Sequence, residues 1–68
     1  MGYKVLHLDA MELHGNLNFM QKVKWPSLET ISLIRNGLNT IDYLDTFQNL
    51  VTVDVSNNYI EEVSLHLP

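Results

Sequence analysis

A 14-residue pattern occurs twice in the chain, at residues 28–41 and again 22 positions later at residues 50–63. The first copy reads LETISLIRNGLNTI, and the second reads LVTVDVSNNYIEEV. Apolar residues at matching positions, together with Asn36 in the first copy and Asn58 in the second, superimpose without a gap. One such repeat is too small to bury its own apolar side chains, so the copies must stack on each other to form a core.

Alternating apolar residues at the start of each copy predict a short strand. Ile31 and Leu33 would point to one face of that strand, and their neighbours would point to the other. Residues 3–13 form a third, degraded copy, in which Leu6 and Leu8 align with this pair at a shift of 25. We therefore expect three parallel strands near residues 5–8, 30–33 and 52–55, in that spatial order.

The asparagines call for a separate explanation. A sharp turn after each strand leaves backbone N–H and C=O groups unpaired inside the stack, and an amide side chain supplies both a donor and an acceptor. Asn36 and Asn58 are therefore expected to be buried and to form a structural ladder. Met11 takes the asparagine position in the degraded copy and cannot pair in this way, so that turn must close by another route.

The segments between the strands have the spacing of short helical turns. Ile41, Leu44 and Phe47 step by three, which suits a helical or 3₁₀ return. Residues 16–22 are expected to form a second short helix. Trp25 can serve as a core plug or as an interface anchor, and the recurrence of an apolar residue at Leu67 favours the core.

Composition limits the class of protein. Sixty-eight residues make one domain at most, spanning 1–68. The chain has no Cys, no signal peptide and no membrane-length apolar run, so we expect an intracellular protein, cytoplasmic or nuclear, that does not contact a membrane. The net charge of −4 argues against direct contact with nucleic acid.

Residues 28–63 resemble the leucine-rich repeat L-x-x-L-x-L-x-x-N-x-L of the short, 22-residue class. Repeats of this class occur in phosphatase regulatory subunits and dynein light chains. The resemblance implies an α/β fold, a leucine-rich-repeat solenoid of about three repeats at residues 3–27, 28–49 and 50–68. Short parallel strands would line its concave face, and helical or 3₁₀ returns its convex face. It also implies protein binding on the concave sheet, but every matched residue is a scaffold residue.

The binding face is predicted from the strand positions that point away from the core. They form rows across the three strands, because adjacent strands lie about 4.8 Å apart. The expected protein-binding residues are His7, Asp9, Thr30, Ser32, Ile34, Arg35, Thr52, Asp54, Ser56 and Asn57. Ile34 is the notable member, since an apolar side chain faces outward there beside the chain's one arginine.

Catalytic and metal sites are not supported by the sequence. His7, Ser32 and Asp54 share a row, but Ser32 would lie between the other two, whereas a catalytic triad needs the histidine in the middle. The three histidines are scattered over strand, loop and tail, without a second ligand pair for a metal. We expect no cofactor.

The sequence favours a non-catalytic scaffold that binds a protein through the concave sheet or through an open C-terminal end. Leu67 and Pro68 resemble Trp25 and Pro26, so the chain stops where another strand would begin. That predicts a fragment, or a small protein completed by self-association or by a partner. Two alternatives stay open: a regulatory module of a longer enzyme chain, and a structural subunit of a ribonucleoprotein.

Overall fold

A three-stranded parallel sheet organises the computed structural model, which describes residues 2–60. The strands are β1 (Val5–His7), β2 (Thr30–Ser32) and β3 (Thr52–Asp54), in the spatial order β1-β2-β3. Val5 is level with Thr30, and Thr30 with Thr52. These registers equal the predicted shifts of 25 and 22 residues, so the prediction of three parallel strands in chain order is confirmed.

Two 3₁₀ helices return the chain from one strand to the next. They span Asn18–Lys22 and Leu44–Thr46 and pack against each other. Residues 2–60 contain no α-helix. The three-residue spacing of Ile41, Leu44 and Phe47 explains the tighter form, because side chains three apart lie on one face of a 3₁₀ helix.

The core is concentrated in the middle repeat. Its buried apolar residues are Leu17, Met20, Leu28, Ile31, Leu33, Leu38, Ile41, Leu44, Phe47 and Leu50. The equivalent inward residues of the outer repeats, such as Leu6 and Val53, are only half-buried against this cluster. The middle repeat has a neighbour on both sides, whereas each outer repeat has one within residues 2–60.

Asn36 and Asn58 join successive turns through their amide groups. Asn36 is 1% exposed, its Oδ1 accepts the Met11 N–H at 2.7 Å, and its Nδ2 donates to the Leu8 carbonyl at 2.8 Å. Asn58 Oδ1 accepts the backbone N–H groups of Asn36 and Leu38. Asn58 is half-buried, contrary to the expectation of full burial, because only one side of it faces a described repeat.

The turn after each strand contains a residue in the left-handed region. Ala10, Arg35 and Asn57 occupy equivalent positions, with φ of 53°, 58° and 60°. Asn tolerates this conformation through local hydrogen bonding, but Ala and Arg have no such compensation. The turn at Arg35 is therefore strained.

Replacing Arg35 by Gly should stabilise the fold by about 1 kcal/mol, because strain of about 1–3 kcal/mol at a non-glycine residue exceeds the roughly 0.5–1 kcal/mol of extra chain entropy that glycine loses. Denaturant unfolding of Arg35→Gly and wild type measures the difference. Lys24→Gly is the matched control, since it removes a cation where φ is not positive and should destabilise. Equal losses in both variants would show that the turn is unstrained.

Two aromatic residues differ in their surroundings. Trp25 is half-buried, packs against the core and donates its indole N–H to the Tyr3 carbonyl at 2.7 Å, which agrees with the core assignment. From its position between Asn58 and Ile60 in the sequence, Tyr59 could be exposed at the side edge or folded over the next turn, with the second favoured. It is 72% exposed, so the first alternative is correct. The prediction that Val63 begins a second helical return lies outside the described residues, as do the expectations for the C-terminal end at Leu67 and Pro68.

Candidate functional site

The face of the sheet opposite the core is the candidate binding face, here called the outer sheet face. It is formed by Val5, His7, Thr30, Ser32, Thr52 and Asp54. The other expected contact residues lie in the turns that follow the strands: Asp9, Ile34, Arg35, Ser56 and Asn57. The expected binding face thus consists of two rows on the strands and further residues in the turns that follow them.

Asp9 connects the first turn to the outer sheet face. Its Oδ1 accepts the Ser32 hydroxyl at 2.7 Å and the Ile34 N–H at 2.8 Å. Its Oδ2 lies 3.9 Å from Nδ1 of His7. Ser32 is only 7% exposed, so little of its side chain is available to a partner. Its hydroxyl instead fixes the Asp9 carboxylate in place.

Asp54 is held by its own turn. Its Oδ1 accepts the Ser56 hydroxyl at 2.6 Å and the Ser56 N–H at 3.1 Å. Asp9 accepts the N–H of Ile34, and Asp54 accepts the N–H of Ser56. Ile34 and Ser56 occupy equivalent turn positions in successive repeats. Asp54 bonds to a residue two positions further along its own repeat, whereas Asp9 bonds to the neighbouring repeat. In that neighbouring repeat, Ser32 stands at the position that Asp54 occupies in the third.

Both carboxyl groups are more acidic than usual. The hydrogen bond from the Ser32 hydroxyl, followed by that from the Ile34 N–H, lowers the pKa of Asp9 below its ordinary 3.8. The hydroxyl and then the N–H of Ser56 lower the pKa of Asp54 in the same way. Because folding lowers both pKa values, the carboxylates stabilise the fold above pH 3.8. This contribution is lost as the pH falls through their lowered folded-state values.

The polar cluster does not have the geometry of an acyl-transfer triad. The Ser32 hydroxyl donates to the Asp9 carboxylate, and His7 lies on the other oxygen of the same carboxylate. The acid therefore lies between serine and histidine, whereas nucleophile activation needs the histidine in that place. Within the described chain, no group of three or more His, Cys, Asp or Glu side chains is placed to hold a metal ion.

Val5 is an exposed apolar residue that was not among the expected protein-binding residues. Val5 is 48% exposed on the outer sheet face, in the row of Thr30 and Thr52. Its outward position follows from the strand alternation. Ile34 is half-buried beside the Asp9 cluster, so part of its side chain is already covered.

A shallow depression of about 270 Å³ lies away from the outer sheet face. It is lined by Val23, Lys24, Trp25, Pro26, Thr46 and Gln48. Small-molecule sites are usually larger and contain several convergent polar groups. Lys24 is its one charged residue, so this depression is a weaker candidate than the outer sheet face.

Comparisons with protein-family models, curated proteins and solved structures gave no match to this chain. The candidate site therefore depends on geometry and chemistry alone. None of the helices within residues 2–60 has the length and apolar character needed to cross a membrane.

Proposed function

We propose that the chain is a non-catalytic protein-binding scaffold, a small leucine-rich-repeat solenoid that contacts its partner through the outer sheet face. One observation carries the proposal: the face displays charged groups in fixed positions beside exposed apolar surface. Asp9 and Asp54 are each held by two hydrogen bonds, and Val5 stands exposed in the adjacent row.

Fixed side chains favour binding because little conformational freedom is lost when the partner arrives. The two carboxylates are ionised at neutral pH, because the ordinary aspartate pKa of 3.8 lies far below 7 and hydrogen bonding lowers the pKa of each further. Each has one oxygen that does not accept those anchoring bonds. The matching partner surface presents Lys or Arg side chains toward Asp9 and Asp54, an acidic side chain toward Arg35 and a small apolar group toward Val5.

Charge reversal on this face tests the proposal. Asp54→Lys and Arg35→Glu should each reduce partner retention at least tenfold, while the far-UV circular dichroism stays close to wild type. The melting temperature of Asp54→Lys should fall slightly, because the two hydrogen bonds that Ser56 donates to this carboxylate are lost. Asp42→Lys and Asp45→Lys are matched controls, because these exposed carboxylates lie on the return side. The measurement is quantitative mass spectrometry of proteins retained by each purified, immobilised variant.

Binding through the outer sheet face would be supported if a protein is retained by wild type and by both control variants but not by Asp54→Lys. If only Asp42→Lys or Asp45→Lys changes retention, the return side is the binding surface and the assignment is wrong. Arg35→Gly distinguishes a binding role of the guanidinium from an effect on folding, because it removes the charge and is expected to stabilise the turn.

A further inference from the structure

Asn36 is followed by Gly37, and this is the only Asn-Gly pair in the sequence. In such a pair the main-chain nitrogen of glycine can attack the side-chain carbon Cγ of asparagine, because glycine has no side chain to hinder the approach. A five-membered succinimide forms, and ammonia leaves. Water then opens the ring at either carbonyl, which gives aspartate or isoaspartate. The other asparagines precede larger residues, so Asn36 is the most reactive of them by sequence.

The fold requires both members of this reactive pair. Asn36 supplies the amide group that joins the first turn to the second. Gly37 has φ of 68°, and a Cβ atom there would lie 2.7 Å from Nδ1 of His14. A side chain that would slow the attack is therefore excluded at position 37, so the structure itself maintains the labile sequence.

The native fold also restrains the amide group that would react. Its Oδ1 accepts the Met11 N–H at 2.7 Å, and its Nδ2 donates to the carbonyls of Leu8 at 2.8 Å and Ile34 at 3.4 Å. The reaction must break the bonds of Nδ2, because this nitrogen leaves as ammonia. Asn36 is only 1% exposed, so the water that takes up the proton of the attacking nitrogen and opens the ring has little access.

Neither product fits the place that the amide occupies. Aspartate would present a carboxylate oxygen, which has no proton to donate, to the carbonyls of Leu8 and Ile34. A negative charge would then be buried against two acceptors, which is costly. Isoaspartate lengthens the main chain by one methylene between residues 36 and 37. The N–H groups of Asn36 and Leu38, which flank that link, would no longer meet at Oδ1 of Asn58.

We propose that Asn36 is a deamidation site that the native fold protects and that unfolding exposes, and that its products prevent the chain from refolding. Unfolding then becomes irreversible at a chemically defined step. The reactive pair lies in the interior of the turn and does not involve the outer sheet face. Failure of the proposed binding function would therefore leave this inference intact.

Deamidation rates of the full wild-type chain test the proposal. The chain is incubated in neutral buffer, and in the same buffer with denaturing guanidinium chloride. Cleavage after Glu29 and Glu61 under mildly acidic conditions then releases residues 30–61 for fragmentation and mass spectrometry. We expect Asn36 to react at least tenfold faster in guanidinium chloride. Asn39 is exposed in the fold and precedes Thr40, so it should react slowly and at similar rates in both solutions.

Three variants separate the effect of the fold from that of the denaturant. Phe47→Ala removes a buried side chain, so Asn36 should react at least tenfold faster than in wild type in buffer alone. Phe19→Ala removes an exposed one and should leave Asn36 protected. Gly37→Ala, measured in guanidinium chloride, should slow the reaction at Asn36 at least tenfold. The contact with His14 has no influence there, because the chain is unfolded.

The refolding of the product tests the last part of the proposal. Deamidated chain, purified and returned to buffer, should lack the cooperative thermal transition that unreacted chain regains after the same treatment. A transition at the wild-type temperature would overturn the claim of irreversibility. Equal rates at Asn36 in buffer and in guanidinium chloride would overturn protection by the fold. Reaction in guanidinium chloride at other asparagines but not at Asn36 would overturn the site itself.

Discussion

Asn36→Ala is expected to lower the free energy of unfolding by about 3 kcal/mol or more, because each buried backbone group left unpaired costs roughly 1–3 kcal/mol. The substitution deprives the Met11 N–H and the Leu8 carbonyl of their partner. For a domain of this size, about 4–8 °C of melting temperature corresponds to each kcal/mol. Thermal and urea unfolding followed by circular dichroism measure the loss.

Asn39→Ala is the matched control for this prediction. Asn39 is exposed, and its backbone N–H, which alanine retains, donates to the Gly15 carbonyl. Its replacement should change the free energy of unfolding by less than about 0.5 kcal/mol. Comparable losses for Asn36→Ala and Asn39→Ala would mean that the turns close without the asparagine ladder.

Phe47→Ala should destabilise the fold by about 3–5 kcal/mol, the usual cost of truncating a buried aromatic side chain. Phe47 is 1% exposed and lies at the end of the second 3₁₀ helix, within the core of the middle repeat. A domain this small rarely has more than about 3–5 kcal/mol of stability in reserve. Loss of the cooperative urea transition at 25 °C is therefore the expected result.

The chain contains its own control for that experiment. Phe19 lies in the first 3₁₀ helix and is 45% exposed, so Phe19→Ala removes the same chemical group from the surface. It should lower stability by less than about 1 kcal/mol and retain the cooperative transition. If Phe19→Ala lowers stability as much as Phe47→Ala does, Phe19 contributes to the hydrophobic core and the assignment of Phe19 to the surface is wrong.

The strand register could be predicted from the sequence because it depends on periodicity alone. Aligning Ile31 with Val53 required only the spacing of apolar residues, and the observed register pairs these two residues. The role of Asn36 was predictable for a similar reason, since few side chains combine a donor and an acceptor at that length. The direction of the ladder, in which each asparagine accepts N–H groups of the preceding turn, could be seen only in the structure.

The candidate site was less predictable, because its details depend on turn geometry. The alternation of inward and outward residues placed Ser32 on the outer sheet face correctly. It could not predict that the carboxylate of Asp9, in the neighbouring turn, accepts the Ser32 hydroxyl. The repeat predicts which residues are equivalent, but the contacts between one turn and the next depend on how each turn places its side chains.

The absence of contact between β1 and β3 bears on how quickly this chain reaches its native state. Pairing β1 with β2 joins positions 25 apart, and pairing β2 with β3 joins positions 22 apart. Each pairing must close a long loop before it gains a hydrogen bond, so we expect slower folding than for a helical bundle of equal length. Either outer strand can add first, but both routes begin with the ordering of β2.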